Sequence, residues 1–278
     1  MTIVSVDFLR ALFLGLLQGL TEFLPISSSA HLAIVPQVIG WDDPGAAFTA
    51  VIQIGTEVAV LLYFWRDIWT IGSGWLRGVF SPEARQEREW AMGWFIIIGS
   101  TPIVLLGIAL KDVIERDFRS LWLIGVTLIT FGVILGFADR VGAAHRRIDD
   151  LTWSHAVLLG LAQALALIPG VSRSGATISM GRFLGYERAA ATRYAFLLAI
   201  PAVVGAGLFE LKEIPGGDNA YGVMPTVVAT VVSFVVGLAV IHWLLKYVST
   251  HSFLPFVLYR IGLGGVTLGL LASGYLVA

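Results

Sequence analysis

The chain has 278 residues, 57% of them hydrophobic and 13% charged, with a net charge of −1 and no cysteine. Soluble domains carry roughly 25% charged residues, so a soluble globular protein is excluded, as are disulfides and thiolate metal sites. The near-zero charge also gives no electrostatic case for a nucleic-acid partner.

What remains is an integral membrane protein. No cleavable leader is expected, because Asp7 and Arg10 interrupt the start and no small-residue cleavage site follows an apolar core. An apolar helix is expected over 11–24. Pro25 stops it, since the ring lacks an N–H and disfavours helix in the residue before it. Ser27, Ser28 and Ser29 suit a helix N-cap, and a second short helix runs through His31 to about residue 39. Neither piece reaches the roughly 20 residues that cross a bilayer. The pair therefore reads as a re-entrant hairpin, a backbone tolerated only inside protein or against a wet cavity. Residues 40–45, GWDDPG, form a surface turn. A first full span covers 44–65 and is interrupted by Gln53 and Glu57. The longest polar loop is 66–89, the second span 90–110, a short charged loop 111–119, the third span 120–138 and a polar linker 139–150.

The second half repeats this plan. Residues 151–172 are apolar, break at Pro169 and Gly170, and restart near Ser174. Spans over 194–209 (with Pro201 inside), 222–245 and 254–278 follow, with a loop at 212–218. At an offset of 145, Leu14, Gly15, Leu16, Gln18, Leu20, Ser27 and Ser29 match Leu159, Gly160, Leu161, Gln163, Leu165, Ser172 and Ser174. Three spans per half turn the second half upside down, the inverted-repeat plan of many transporters. The expected fold is thus an all-α polytopic membrane protein with six transmembrane helices and two re-entrant helical hairpins. It forms a single membrane domain over 1–278, built of inverted repeats of about 1–148 and 149–278. Loops 66–90, 139–150, 182–193 and 246–253 hold eleven Lys and Arg against five on the other side, which puts them in the cytoplasm. The first hairpin then enters from outside and the second from inside, and their tips meet near the midplane.

Charge inside a membrane is expensive and points to function. The first hairpin supplies Glu22, Ser28 and His31; the second supplies Ser172, Arg173, Ser174 and Thr177. Arg173 offers a planar fork for phosphate oxygens, and the two helix starts aim N–H groups and positive dipole ends at one spot. That is an anion site, most naturally for phosphate. A divalent cation would reconcile Glu22 with a bound phosphate, and Gln18, one turn before Glu22, could add a neutral oxygen. Taken singly, each group has a plainer role: Glu22 and the serines as caps, His31 as an interfacial polar residue, Arg173 as a side chain reaching the surface. Glu57 stays open between helix packing and a cavity, and Arg260 between a helix end and a polar cavity. His145, His155, His242 and His251 look like interface residues.

EFLPISSSAH and PGVSRSGAT, with the Gln18-to-Glu22 spacing and the closing FLPFVLYRIGLG, resemble the undecaprenyl-diphosphate phosphatases of the bacitracin-resistance type over the whole chain. The resemblance implies hydrolysis of undecaprenyl diphosphate to undecaprenyl phosphate and inorganic phosphate at the outer face of the bacterial inner membrane. That reaction recycles the lipid carrier for peptidoglycan synthesis and confers bacitracin resistance. A divalent cation, Mg2+ or Ca2+, is implied as cofactor. Glu22, Ser28, His31 and Arg173 carry over as catalytic residues, with Ser27, Ser172, Arg173, Ser174 and Thr177 at the phosphate and Glu22 and Gln18 towards the metal. The family's first motif often has glutamate where this chain has Gln18, which weakens a direct metal role there. The nucleophile stays open between Ser28, His31 and water, with His31 three residues from Ser28 on one helical face. The partners are the lipid substrate and membrane lipid; a homodimer stays open. The rival reading is a transporter or flippase for the lipid carrier or another anion, since fold does not fix function.

Overall fold

A computed structural model describes residues 6–116, 120–213 and 221–276. The end of the expected 111–119 loop, most of the 212–218 loop and the last two residues of the final span lie outside the described residues. Every regular element among the described residues is helical: α1 (Val6–Thr21), α2 (Ser28–Val38), α3 (Ala46–Tyr63), α4 (Trp65–Phe80), α5 (Arg88–Ala109), α6 (Lys111–Arg116), α7 (Leu121–Val141), α8 (Trp153–Ala164), α9 (Arg173–Phe183), α10 (Arg188–Glu213), α11 (Val223–Val248) and α12 (Leu254–Ala272). Five of them, α5, α7, α10, α11 and α12, are long and apolar enough to cross a membrane. The pair α3–α4, bent by 67°, supplies a sixth when its halves count as one span. The protein is an all-α polytopic membrane protein, and two pairs of short helices, α1–α2 and α8–α9, stand where hairpins are expected.

Several boundaries differ from the sequence reading. Residues 66–89 are not a loop: α4 fills most of the stretch, and a 3-10 turn, Glu83–Gln86, follows it. Arg66, Asp67 and Arg77 interrupt the apolar run in sequence, yet Trp65, Trp69, Leu76 and Phe80 form an exposed apolar stripe down one side of the helix. Its other side packs by Gly74 and Gly78 against Glu89 and Trp90 of α5. The 111–119 loop opens with α6, and α10 begins at Arg188, six residues before the expected start. The second short helix begins at Arg173, one residue before Ser174, while α2 begins at Ser28 with its cap at Ser27, within the expected serine run.

Small residues let the helices close up, as membrane packing requires. Gly15 of α1 lies against the backbone of Ala229 in α11, and Gly160 of α8 against that of Gly99 in α5; a methyl at either glycine would collide with the facing chain. At the far end of α9 from its cap, Asp139 accepts bonds from Arg182 Nε (3.2 Å), Arg188 Nε (2.6 Å) and the Phe253 N–H (3.0 Å). This cluster fixes α7, α9, α10 and α12 to one another. Beside it Tyr186 donates to the Asp150 carbonyl (3.2 Å), and burial pushes its phenol up to about 12, which keeps it a neutral donor.

Candidate functional site

The site is built from two matching breaks. In the first, α1 ends at Thr21, Pro25 lies in the turn and Ser27 caps α2, its hydroxyl accepting from the Ala30 N–H (3.4 Å). In the second, Pro169 and Gly170 lie in the turn and Ser172 caps α9, accepting from the Gly175 N–H (3.1 Å). Ser27 and Ser172 both hold the left-handed backbone, at φ 73° and 71°. A non-glycine residue there is uncommon and costs roughly 1–3 kcal/mol. The same strain at two positions 145 apart is the structural counterpart of the sequence repeat.

The breaks meet at Glu22. Arg173 Nη2 donates to its Oε1 at 2.5 Å, across 151 residues of chain. Ser28 Oγ donates to Oε2 at 2.7 Å, and Gln18 Nε2 approaches the same oxygen at 3.1 Å. A second tie runs from Ser174 Oγ to the Leu24 carbonyl (3.2 Å). The carboxylate side chain is 9% exposed and the arginine 23%, so the pair sits in a medium where it counts for more than at a surface, while Arg173 keeps an open side. Glu22, Arg173 and Ser174 line one small cavity with Phe23, Thr56, Glu57 and residues of α10. Gln18, Ser28 and Ser29 line a larger one, about 400 Å³, that runs out to Asp43, Pro44 and Gly45. A guanidinium, a carboxylate, a hydroxyl bonded to that carboxylate, and two capped helix starts are the parts of a phosphoryl-transfer site.

A family model described as bacitracin resistance protein BacA matches residues 11–266. The chain belongs to the BacA family. It is 70% identical to a protein of Nocardioides sp. (strain ATCC BAA-499 / JS614) named undecaprenyl-diphosphatase, over 98% of this chain and the whole of that protein. It is 54% identical to the undecaprenyl-diphosphatase of Micrococcus luteus, over 98% of this chain and 99% of the other. With undecaprenyl-diphosphatase 2 of Agrobacterium fabrum it shares 52%, over 99% of each chain.

In this BacA-family chain the sequence-derived residues fall into two groups. Glu22, Ser28, Arg173 and Gln18 form one hydrogen-bonded set, and Ser174 adjoins it. Ser27 and Ser172 face their own helix starts as caps and pair with Ser29 (3.1 Å) and Ser174 (3.2 Å). Thr177 is fully buried, with its hydroxyl turned back to the Arg173 carbonyl (2.9 Å), so it braces α9. His31 forms no hydrogen bond to Ser28. Its Nδ1 bonds the Ser27 carbonyl (2.7 Å), which fixes the proton there, and its Nε2 accepts from Tyr259 Oη (2.7 Å) with the rings stacked. The group poised to take the Ser28 proton is Glu22.

Three residues enter that sequence reading did not assign. Tyr259 holds His31. Arg260, fully buried, donates to Pro25 O (3.0 Å), Gly170 O (2.8 Å), Val171 O (3.0 Å) and Leu128 O (3.3 Å). One guanidinium on α12 therefore clasps the carbonyls of both breaks. Glu57, buried on α3, faces the Glu22 cavity. For Arg260 and Glu57 the signal was in the sequence, as a charge within an apolar run, but what each faces lies far away in the chain; Tyr259 carried no such signal.

For a metal the donor set is partial. Among the described residues no group of three or more His, Cys, Asp or Glu could hold one. The Gln18 amide oxygen, however, is enclosed and has no partner, and Glu22 lies beside it. That set suits a hard cation of the Mg2+ or Ca2+ kind, which takes one or two carboxylates, a neutral oxygen and the substrate's own phosphate oxygens.

Proposed function

We infer that the chain is an undecaprenyl-diphosphatase, hydrolysing undecaprenyl diphosphate to undecaprenyl phosphate and inorganic phosphate. The observation that carries this is the line from Arg173 through Glu22 to Ser28, an anion-binding fork joined to a base and its nucleophile. Relatives of that name at 52–70% identity over nearly the whole chain support it.

In the proposed reaction the terminal phosphate draws Arg173 away from Glu22. Glu22, to which the Ser28 hydroxyl already donates, takes the proton of Ser28. Ser28 Oγ attacks the terminal phosphorus, the bond from phosphorus to the bridging oxygen breaks, and undecaprenyl phosphate leaves with that oxygen and with the proton from Glu22. Water then attacks the phosphoserine. Glu22 accepts the water proton and returns it to Oγ as inorganic phosphate departs. Arg173 and the starts of α2 and α9 hold the phosphoryl oxygens throughout. A divalent cation held by Glu22 and Gln18 would neutralise diphosphate charge, and Arg260 and His31 keep the breaks in register.

The reading also places the protein in the bacterial inner membrane with its site open to the outer face, where the reaction recycles the lipid carrier. It takes α1–α2 and α8–α9 as hairpins re-entering from opposite sides of one membrane domain. The test is phosphate release from undecaprenyl diphosphate by purified protein with Mg2+ or Ca2+. Turnover that chelation abolishes supports the assignment; no release with either cation, alongside lipid movement in liposomes, would favour a transporter.

A further inference from the structure

We propose that Glu57 is the second carboxylate of the phosphate site and, with Glu22 and the Gln18 amide oxygen, forms the protein's share of a divalent-cation seat; this rests on the phosphatase reading above. Glu57 stands in the middle of α3 and lines, with Glu22, Arg173 and Ser174, a cavity of about 20 Å³. That is room for one water-sized guest. The side chain is buried, and the ion pairs among the described residues include none to it. Its Oε1 receives a hydrogen bond from Gln53 Nε2 (3.2 Å). Its Oε2 lies over Gly207 of α10, where any side chain would strike it.

The second observation is independent of the carboxylates. Gln18 is 1% exposed, and its Oε1 has no hydrogen-bond partner. The nitrogen of the same amide touches Glu22 Oε2 (3.1 Å) and Thr56 Oγ1 (3.4 Å), and Thr56 directly precedes Glu57. The unused oxygen thus belongs to the amide whose nitrogen bridges Glu22 and Thr56, two residues of the Glu57 cavity, while Gln18 itself lines the larger cavity beside it. A buried acceptor left without a partner is costly, and a cation would satisfy it.

Charge balance gives the reason. Two carboxylates facing one guanidinium make a site that is net negative and would repel a diphosphate. A divalent cation reverses that sign. Two carboxylates and a neutral oxygen, completed by water and phosphate oxygens, are the ligands Mg2+ and Ca2+ take. Glu57 acts in this account by holding the cation that receives the diphosphate.

The test titrates Mn2+ into the purified full-length protein, without lipid substrate, and follows free Mn2+ by electron paramagnetic resonance. Wild type is expected to bind Mn2+. Glu57→Gln, with unchanged melting temperature and elution volume, is expected to bind roughly tenfold or more weakly. Gly207→Ala keeps both carboxylates but drives a methyl into Oε2, and weakens binding as well. Wild-type affinity in Glu57→Gln overturns the proposal. Were that variant not to fold, wild-type affinity in Gly207→Ala overturns it instead. No Mn2+ binding by the wild type also overturns it. Glu57-dependent Mn2+ binding by a protein that releases no phosphate supports the cation seat and defeats the phosphatase reading alone.

Discussion

Arg173 and Glu22 are 151 residues apart in the chain and 2.5 Å apart in space. Each stands at a helix break, and the contact joins the two breaks into one site. In the proposed reaction this contact is a latch: at rest the fork proposed to bind phosphate is occupied by the carboxylate proposed to act as base. Substrate binding and release of that carboxylate are then a single exchange of partners.

If Ser28 is the nucleophile, a phosphorylated enzyme should be trapped by acid quench from terminally labelled undecaprenyl diphosphate, with the label on the peptide containing Ser28. Ser28→Ala should lose the label and at least roughly 100-fold in turnover. Label on His31, whose two nitrogens are engaged by Ser27 and Tyr259, would require that histidine to leave both partners and would replace Ser28 in the mechanism.

Arg260 should matter to both stability and rate. Arg260→Met removes the donor from the Pro25, Gly170 and Val171 carbonyls at the breaks, at about 1–3 kcal/mol each when nothing relaxes. The melting temperature is expected to fall, and turnover with it, because Pro25 and Gly170 are no longer held to one point. Arg260→Lys keeps the charge but lacks the planar fork, so it should recover only part of either property. Full activity in Arg260→Met would show that the breaks are held in place without it.

Gln163 is the counterpart of Gln18 in the repeat, yet it is fully buried with neither amide atom hydrogen-bonded. Glu22 is matched at the offset of 145 by Leu167, so the partner that satisfies Gln18 is missing. Replacing an unsatisfied amide by an apolar group of similar size removes a cost of about 1–3 kcal/mol. Gln163→Leu is expected to raise the melting temperature and leave turnover unchanged. A fall in melting temperature would mean that an ordered water satisfies the amide.

The breaks, their serine caps and the identity of Glu22, Ser28 and Arg173 were legible because each is a local signal: a proline after an apolar run, or a charge where lipid allows none. The spans were legible from hydropathy for the same reason. Helix α4 was not, because its charges are spread along the sequence while its apolar side is continuous only in three dimensions. The three-residue spacing of Ser28 and His31 did not reveal their partners, since a shared helical face says nothing of which neighbour binds more strongly. Ser28 turns to Glu22, and His31 turns to Tyr259 on α12. The roles of Arg260 and Glu57 needed the packing of α12 on α7 and of α3 on α10, which no local pattern encodes.

The most direct measurement is a double-mutant cycle on phosphate release from undecaprenyl diphosphate, comparing wild type, Glu22→Gln, Arg173→Ala and the double variant, each checked for folding by melting temperature. Groups that act as one unit are strongly non-additive. Each single variant is expected to lose roughly 100-fold or more in turnover, and the double variant no more than the worse single. Near-normal turnover in either single variant, or losses that multiply in the double, would contradict a shared site.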